Sequence, residues 1–345
     1  MRPARALLPA AAVATLMLSA CSSTSTSKTP VAGIVTAPPI PNSVAGSASA
    51  LQNDFRAVVT RVRPSVVLIE TDLGLGSGVV FDTSGDVVTN NHVVEGAQML
   101  QVTGYDGKKH DATLVGSFAQ DDLAVVHVGG LGLPAIAFAD SGKLQVGDIA
   151  IAIGNPLGLQ SSVTEGIVSG TGRTVSEQNG VALPDVVQTS AAINPGNSGG
   201  ALVDLNGSLI GIPTLAAVDQ QLGGGAAPGI GFAIPSDTVK DIASQLVQYG
   251  KVVNTHRAYL GIQAATSFGG GVVISDVVVG GPAAQAGLTA GDEITSVNGQ
   301  AVQSLDDLDT VLASLSPGQK IVVAVTHPDG STATVSVMLG QLPGG

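Results

Sequence analysis

The sequence predicts a mostly β protein, two six-stranded antiparallel barrels followed by a helix and a smaller β-rich module. Three observations carry this. Between Ser65 and Pro235 the chain is a series of short apolar or alternating runs, among them VVLIE, GSGVVFD, DATLVGS, LAVVHV, DIAIAIGN, DVVQTS, ALVDL, SLIGI and GIGFAI, each bounded by turn residues. That span of roughly 170 residues suits two small barrels better than one. After Pro235 the spacing becomes helical, with Val239, Ile242, Leu246 and Val247 on one face.

Residues 1–20 place Arg2 and Arg5 before an apolar run, Ala6 to Leu18, too short to span a bilayer and suited to a secretory signal. Cys21 follows and is the chain's single cysteine, so no disulfide can form within the chain. Residues 21–52 are rich in Ser, Thr, Pro and Ala with almost no charge, a tether reaching on the order of 30 Å. Leu51 to Val62 has helical spacing, with Phe55, Val58, Val59 and Val62 as a stripe and Pro64 as its stop. Asn206-Gly207 predicts a two-residue type I′ hairpin between ALVDL and SLIGI. Ser236 is expected to cap the helix that Gly250 ends, closing a domain at 53–250. Lys251 to His256 is a linker, and residues 256–341 form the last module.

One stretch promises chemistry. Ala191 to Gly200 reads AAINPGNSGG and sets Ser198 in a turn where Gly196 and Gly199 permit backbone angles closed to other residues. The amides of Gly196 and Ser198 could then converge on one point, an oxyanion hole. A tight loop between strands would also explain the glycines, so a base is required. His92 closes the run DVVTNNHVV, and Asp122 abuts the strand LAVVHV, with Asp121 as its alternative. His127 lies inside a strand, and His110, His256 and His327 lie in turn-like surroundings. GNSGG also fits the G-x-S-x-G elbow of α/β-hydrolases, but there the acid and histidine follow the serine and a helix comes next. Here both precede it and strands follow.

TNNHVV, DLAVV, IGNPLG, GNSGGALV and GIGFAIPS, in that order, resemble HtrA/Deg-type serine proteases of the chymotrypsin clan, over about Asn53 to Leu339. YLGI at Tyr259 to Ile262 and GGPAAQAGLTAGDEITSVNG resemble a PDZ domain. The resemblance implies two chymotrypsin-like barrels and a PDZ domain, with His92 as general base, Asp122 as its orienter and Ser198 as nucleophile. The Gly196–Asn197–Ser198 turn becomes the oxyanion hole.

By the same resemblance Ala192, Ile193 and Ile230 line a small apolar S1 pocket, and Arg173 belongs to a regulatory loop within the polar segment Thr171 to Val186. Tyr259, Leu260, Gly261 and Ile262 would receive a peptide C-terminal carboxylate, while Leu308 and Leu312 either line its side-chain pocket or are plain core. Leu18-Ser19-Ala20-Cys21 resembles a bacterial lipobox, implying lipidation of Cys21 and anchoring on the outer face of a membrane. Phe55 is core or a contact within a homotrimer. Expected partners are unfolded exported polypeptides and peptide C-termini.

Composition adds exclusions. Fourteen Lys and Arg against 26 Asp and Glu give −12, so nucleic-acid binding has no electrostatic support. No His/Cys/Asp/Glu group has metal-ligand spacing, and neither a metal nor an organic cofactor is expected.

Overall fold

A computed structural model describes residues 42–155, 162–176, 182–194, 196–219, 225–267 and 271–344. The secretory leader and Cys21 lie outside the described residues. The first helix, α1 (Asn42–Val62), begins inside the expected tether. Its start mixes Ala with Ser, Asn and Gly and supplies no apolar stripe that sequence reading could detect. The compact unit runs Ala48–Gly345. Within it Val58 and Val62 are buried and Phe55 and Val59 pack at their edge, so this stripe is core of the chain itself.

The first sheet contains β1 (Val66–Thr71), β2 (Leu75–Val80), β3 (Asp86–Thr89), a one-turn helix α2 (Asn91–Val94), then β4 (Leu100–Thr103), β5 (Lys109–Asp111), β6 (Thr113–Phe118) and β7 (Leu123–His127). Its order is β5-β4-β1-β2-β3-β7-β6, antiparallel throughout. The second sheet has β8 (Ala137–Phe138), β9 (Ile149–Gly154), β10 (Ser162–Ser176), β11 (Ala182–Thr189), β12 (Ala201–Val203), β13 (Ser208–Asp219) and β14 (Gly225–Pro235). Six of these close as β12-β9-β10-β11-β14-β13 because β13 pairs back to β12, while β8 adds to β13 from outside. The expected mostly β architecture is present, with one refinement. The second sheet is a closed six-stranded barrel, and the first is a curled sheet of seven strands whose ends do not pair among the described residues.

Both sheets bury one continuous apolar cluster, in which Val66, Val79 and Val125 meet Ile151, Val203 and Leu209. Helix α3 (Ser236–Tyr249) seals it with Val239, Ile242 and Leu246, and ends at Gly250 in the left-handed region. Val247 stays at the solvent edge of that face. Packing of this kind fixes one sheet against the other, so loops from both can meet at a defined distance.

Two local expectations change. The turn after β12 has three residues, Leu205 to Gly207, closed by Asp204 N–H to Ser208 O at 3.0 Å. The Asp204 carboxylate accepts the N–H groups of Asn206 and Ser208, both at 2.9 Å, which selects a type I turn with Gly207 at φ 72° over the type I′ form. Ser236 is inside α3, and its hydroxyl donates to Ala139 O instead of capping.

The C-terminal module has β15 (Ala258–Tyr259), β16 (Ile262–Thr266), β17 (Val272–Val277), α4 (Pro282–Ala286), β18 (Glu293–Val297), β19 (Gln300–Ala301), α5 (Leu305–Ala313), β20 (Lys320–Thr326), β21 (Thr332–Met338) and β22 (Gly340–Gln341). Its main sheet runs β16-β17-β18-β20-β21 around a separate core of Leu260, Ile274, Ile294 and Val323. Ser304 caps α5, accepting the Asp307 N–H.

Candidate active site

His92 is on α2, just beyond the end of β3 and not within a strand. Asp122 ends the 3-10 turn Ala119–Asp121 at φ 48°, a left-handed angle that aspartate tolerates better than most residues. Its carbonyl accepts Asn91 N–H at 3.1 Å and the Asn90 side-chain amide at 3.0 Å. Its carboxylate accepts His92 N–H at 3.0 Å and faces the ring, with Nδ1 at 2.8 Å from Oδ2. The whole α2 turn is thus clamped onto one residue that is 2% exposed. An ionised carboxylate only accepts, so the ring proton sits on Nδ1 and Nε2 is the basic nitrogen. Asp121 points elsewhere, to Arg257.

Ser198 lies in the turn between β11 and β12. Its carbonyl accepts Ser77 N–H at 2.9 Å, and the Ser77 hydroxyl donates to Gly196 O at 2.5 Å while accepting Asn155 N–H at 2.8 Å. Ser77 pins both ends of the turn, a role that sequence reading missed. Asn197 spends its N–H on Asn194 O at 2.9 Å, so of the three residues expected to form an oxyanion hole its amide is the one already engaged among the described residues. Gly199 sits at φ +78°, and a Cβ there would approach Ser77 O to 2.1 Å and Thr89 Oγ1 to 2.4 Å. Gly199→Ala must push the turn off Ser77. We expect at least about a 10²-fold loss of kcat through displaced oxyanion donors, measured by steady-state hydrolysis on protein whose folding is checked by circular dichroism.

The remaining link is Thr214, also unforeseen. Its hydroxyl donates to Asp122 Oδ2 at 2.6 Å, and its carbonyl accepts the Ser198 hydroxyl at 3.2 Å. The register between β13 and β14 shifts between Pro213 and Leu215, so Thr214 is the extra residue of a bulge. Bulges re-aim a side chain out of strict alternation, which is why the strand pattern gave no warning. His92, Ser198, Gly196 and Thr214 line one cleft of about 440 Å³ between the two sheets. A base held in one tautomer, a hydroxyl and two amides in one cleft are the parts needed for acyl transfer.

Residues 76–212 match the Trypsin-like peptidase domain family, and residues 258–339 match the PDZ domain family. The chain is 43% identical over 279 residues to the periplasmic serine endoprotease DegP of Escherichia coli K12, covering 78% of this chain and 57% of that one. It is 40% identical over 307 residues to the serine protease PepD of Mycobacterium tuberculosis, covering 82% of this chain and 65% of that one. The chain therefore spans less than two thirds of these curated relatives. Among solved structures, the HtrA-type protease AlgW with decapeptide is similar at a TM-score of 0.58 and 33% identity, over 83% of this chain and 98% of that one. The chain belongs to the HtrA/Deg family of serine proteases.

Other residues singled out in this HtrA/Deg chain fall into place unevenly. Ile193 lines the cleft, whereas Ala192 and Ile230 are exposed and do not line it among the described residues. Arg173 is in β10, opposite Val186 of β11, so both ends of the expected loop belong to a bulged antiparallel ladder, and residues 177–181 lie outside the described residues. In the PDZ domain, Tyr259 to Ile262 together with Leu308 and Leu312 line a groove of about 360 Å³ between β16 and α5. Leu308 is also buried in the domain core, so the two readings of that leucine coincide.

Three further histidines are structural partners. His127 meets Asp86 at 2.8 Å, His256 meets Asp241 at 3.3 Å and His327 meets Asp292 at 2.6 Å. Arg257 joins the domains. Its Nε donates to Asp121 Oδ1 and its Nη1 to Ala182 O, both at 2.8 Å, and it also donates to Gln120 O. Burial pushes the Asp121 carboxyl up, and the Arg257 charge opposes that rise.

Proposed function

We propose that the protein is a serine endopeptidase in which Ser198 attacks the peptide carbonyl, His92 Nε2 takes its proton and Asp122 steadies the resulting imidazolium. The tetrahedral oxyanion is held by the Gly196 and Ser198 amides. His92 then protonates the leaving amine, and water releases the acyl group by the reverse route. The observation that carries this reading is Thr214, which contacts Asp122 and Ser198 at once and so ties orienter and nucleophile to one cleft with His92. Labelling by a serine-directed fluorophosphonate, with and without a PDZ ligand, tests it. A folded wild type that stays unlabelled in both conditions would sink the reading.

The domains are read as a signal at 1–20, a tether at 21–52, the protease at 53–250 and the PDZ domain at 256–341. By resemblance, trypsin-like members of the clan place an acid six residues before the serine to select basic side chains; this chain has Ala192 there, outside the cleft lining, and Ile193 supplies apolar wall. Cleavage is expected after Val, Ala, Ile or Leu. A cleavage map of a denatured protein dominated by Lys or Arg would contradict it.

Unfolded exported proteins are the proposed substrates, their C-termini docking in the PDZ groove. The name of DegP supports a place in the cell envelope. Lipidation of Cys21, anchoring on the outer face of the membrane and a homotrimer complete the proposal. Arg173 is proposed to couple the groove to the Ser198 turn, since β11 begins at Ala182, whose carbonyl receives Arg257. A C-terminal peptide ligand should raise wild-type activity, and Arg173→Ala should lose most of that rise while keeping basal turnover. An equal rise in both proteins would free Arg173 of this role.

A further inference from the structure

Leu73 and Leu75 are 68% and 54% exposed although both sit at the rim of the cleft that holds His92 and Ser198. They are not on a loose loop. The turn between β1 and β2 is closed by Thr71 N–H to Gly74 O at 2.9 Å, and the Thr71 hydroxyl accepts the N–H groups of Leu73 and Gly74 at 3.1 and 2.9 Å. From the other side the Asp72 carboxylate accepts Gln98 and Met99 N–H, bonds that hold it below the usual carboxylate range. Val93 completes the wall. It packs so closely on β2 that a Cβ on Gly76 would meet it at 2.5 Å. A rigid turn that holds two leucines in water beside reactive groups leaves apolar area for a ligand to cover.

The chemistry decides which part of a ligand that is. The acyl carbon is bonded to Ser198 Oγ, and the departing amine takes its proton from His92, so the leaving chain exits past α2, where Val93 follows His92. Leu75 lies two residues before Ser77, on the strand face that meets the Ser198 turn, roughly 7 Å along β2. Ile193 and Asn194, by contrast, approach from the segment preceding Ser198.

We propose that Leu73, Leu75 and Val93 form a leaving-group subsite that selects bulky apolar residues immediately C-terminal to the scissile bond. Among the described residues Glu95 is the one carboxylate of this rim and no Lys or Arg lines it, so an acidic side chain there meets repulsion. The inference rests on the reading of Ser198 as nucleophile.

Microscopic reversibility supplies the test. An acyl-enzyme made from an ester substrate is resolved either by water or by an added amino-acid amide. In the second case the C–N bond forms as the C–Oγ bond breaks, and the amine proton passes through His92 to Ser198 Oγ. The full chain is given an ester of an apolar N-acyl amino acid with Leu-amide, Ser-amide or Asp-amide as acceptor, and the ratio of aminolysis to hydrolysis is read. Leu-amide is expected to exceed Ser-amide by about tenfold or more and Asp-amide by more again, with the preference collapsing in Leu73→Ser/Leu75→Ser. Both leucines are exposed, so that variant should fold, and fluorophosphonate labelling at the wild-type rate verifies an intact Ser198. Equal ratios for Leu-amide and Ser-amide, or a preference unchanged in the double variant, overturn the subsite alone. No ester hydrolysis and no labelling in the wild type overturn it together with the nucleophile reading.

Discussion

Ser198→Ala is expected to abolish turnover, by about 10⁶-fold in kcat, while leaving the protein as stable as before. The two halves of that expectation have separate causes. In the proposed mechanism the hydroxyl is the group that forms the acyl ester, and alanine has nothing to replace it. Among the described residues the hydroxyl's one hydrogen bond is the 3.2 Å contact to Thr214 O, long enough to contribute little to folding. What positions the turn is backbone, the Ser198 carbonyl on Ser77 N–H and the Gly199 N–H on Pro213 O at 3.1 Å, and alanine keeps both. Peptide hydrolysis and the urea midpoint, measured on one preparation, check the two halves together. Retained turnover in a variant with an unchanged midpoint would remove Ser198 from the mechanism.

Asp122→Asn should cost roughly 10⁴ in kcat. Among the described residues Asp122 faces only donors. Oδ1 accepts the His92 backbone N–H, Oδ2 accepts the Thr214 hydroxyl at 2.6 Å, and the ring N–H lies between them. Asparagine has one acceptor oxygen and one NH2, so one side of this arrangement sets donor against donor. The least costly escape is for His92 to move its proton to Nε2 and accept at Nδ1, which removes the base that Ser198 needs. Fluorophosphonate labelling should slow in parallel with peptide turnover, because both require that base. Near-normal activity in Asp122→Asn would shift the role to Asp121, against the observation that Asp121 engages Arg257.

The residues that sequence reading proposes and the structure brings together share a property: each is announced by its chain neighbours. Ser198 stands among glycines, His92 follows two asparagines at a strand end, and Asp122 precedes an uninterrupted apolar strand. Thr214 and Ser77 were illegible because their roles arise from long-range register. Thr214 acts through a bulge opposite β14, and Ser77 through a strand that meets the Ser198 turn more than a hundred residues later. The segment Thr171 to Val186 misled for a related reason. In this ribbon Leu183 and Val186 are buried and Val175 packs against them, but repeated register shifts between β10 and β11 break strict alternation, so the ladder leaves no clear period-two pattern in the sequence. The second barrel was legible as a closed six-stranded unit, whereas the extra strand of the first sheet, β5 with Lys109 to Asp111, is too short and polar to register as one.

Arg257 lies beyond the linker, yet its guanidinium is the counter-charge of Asp121, a carboxylate only 8% exposed and one residue from Asp122. Withdrawing one partner from such a buried pair costs about 3–5 kcal/mol, or forces the survivor to take up a proton. A chain shortened to end at Gly250 loses more than its peptide groove. It carries a stranded acid against the backbone that orients His92, so the kinetics of the isolated protease domain would mix the absence of a ligand site with a wound beside its own machinery. Arg257→Lys in the intact chain, which keeps the charge and the groove but not the fork-shaped set of bonds, separates those two contributions.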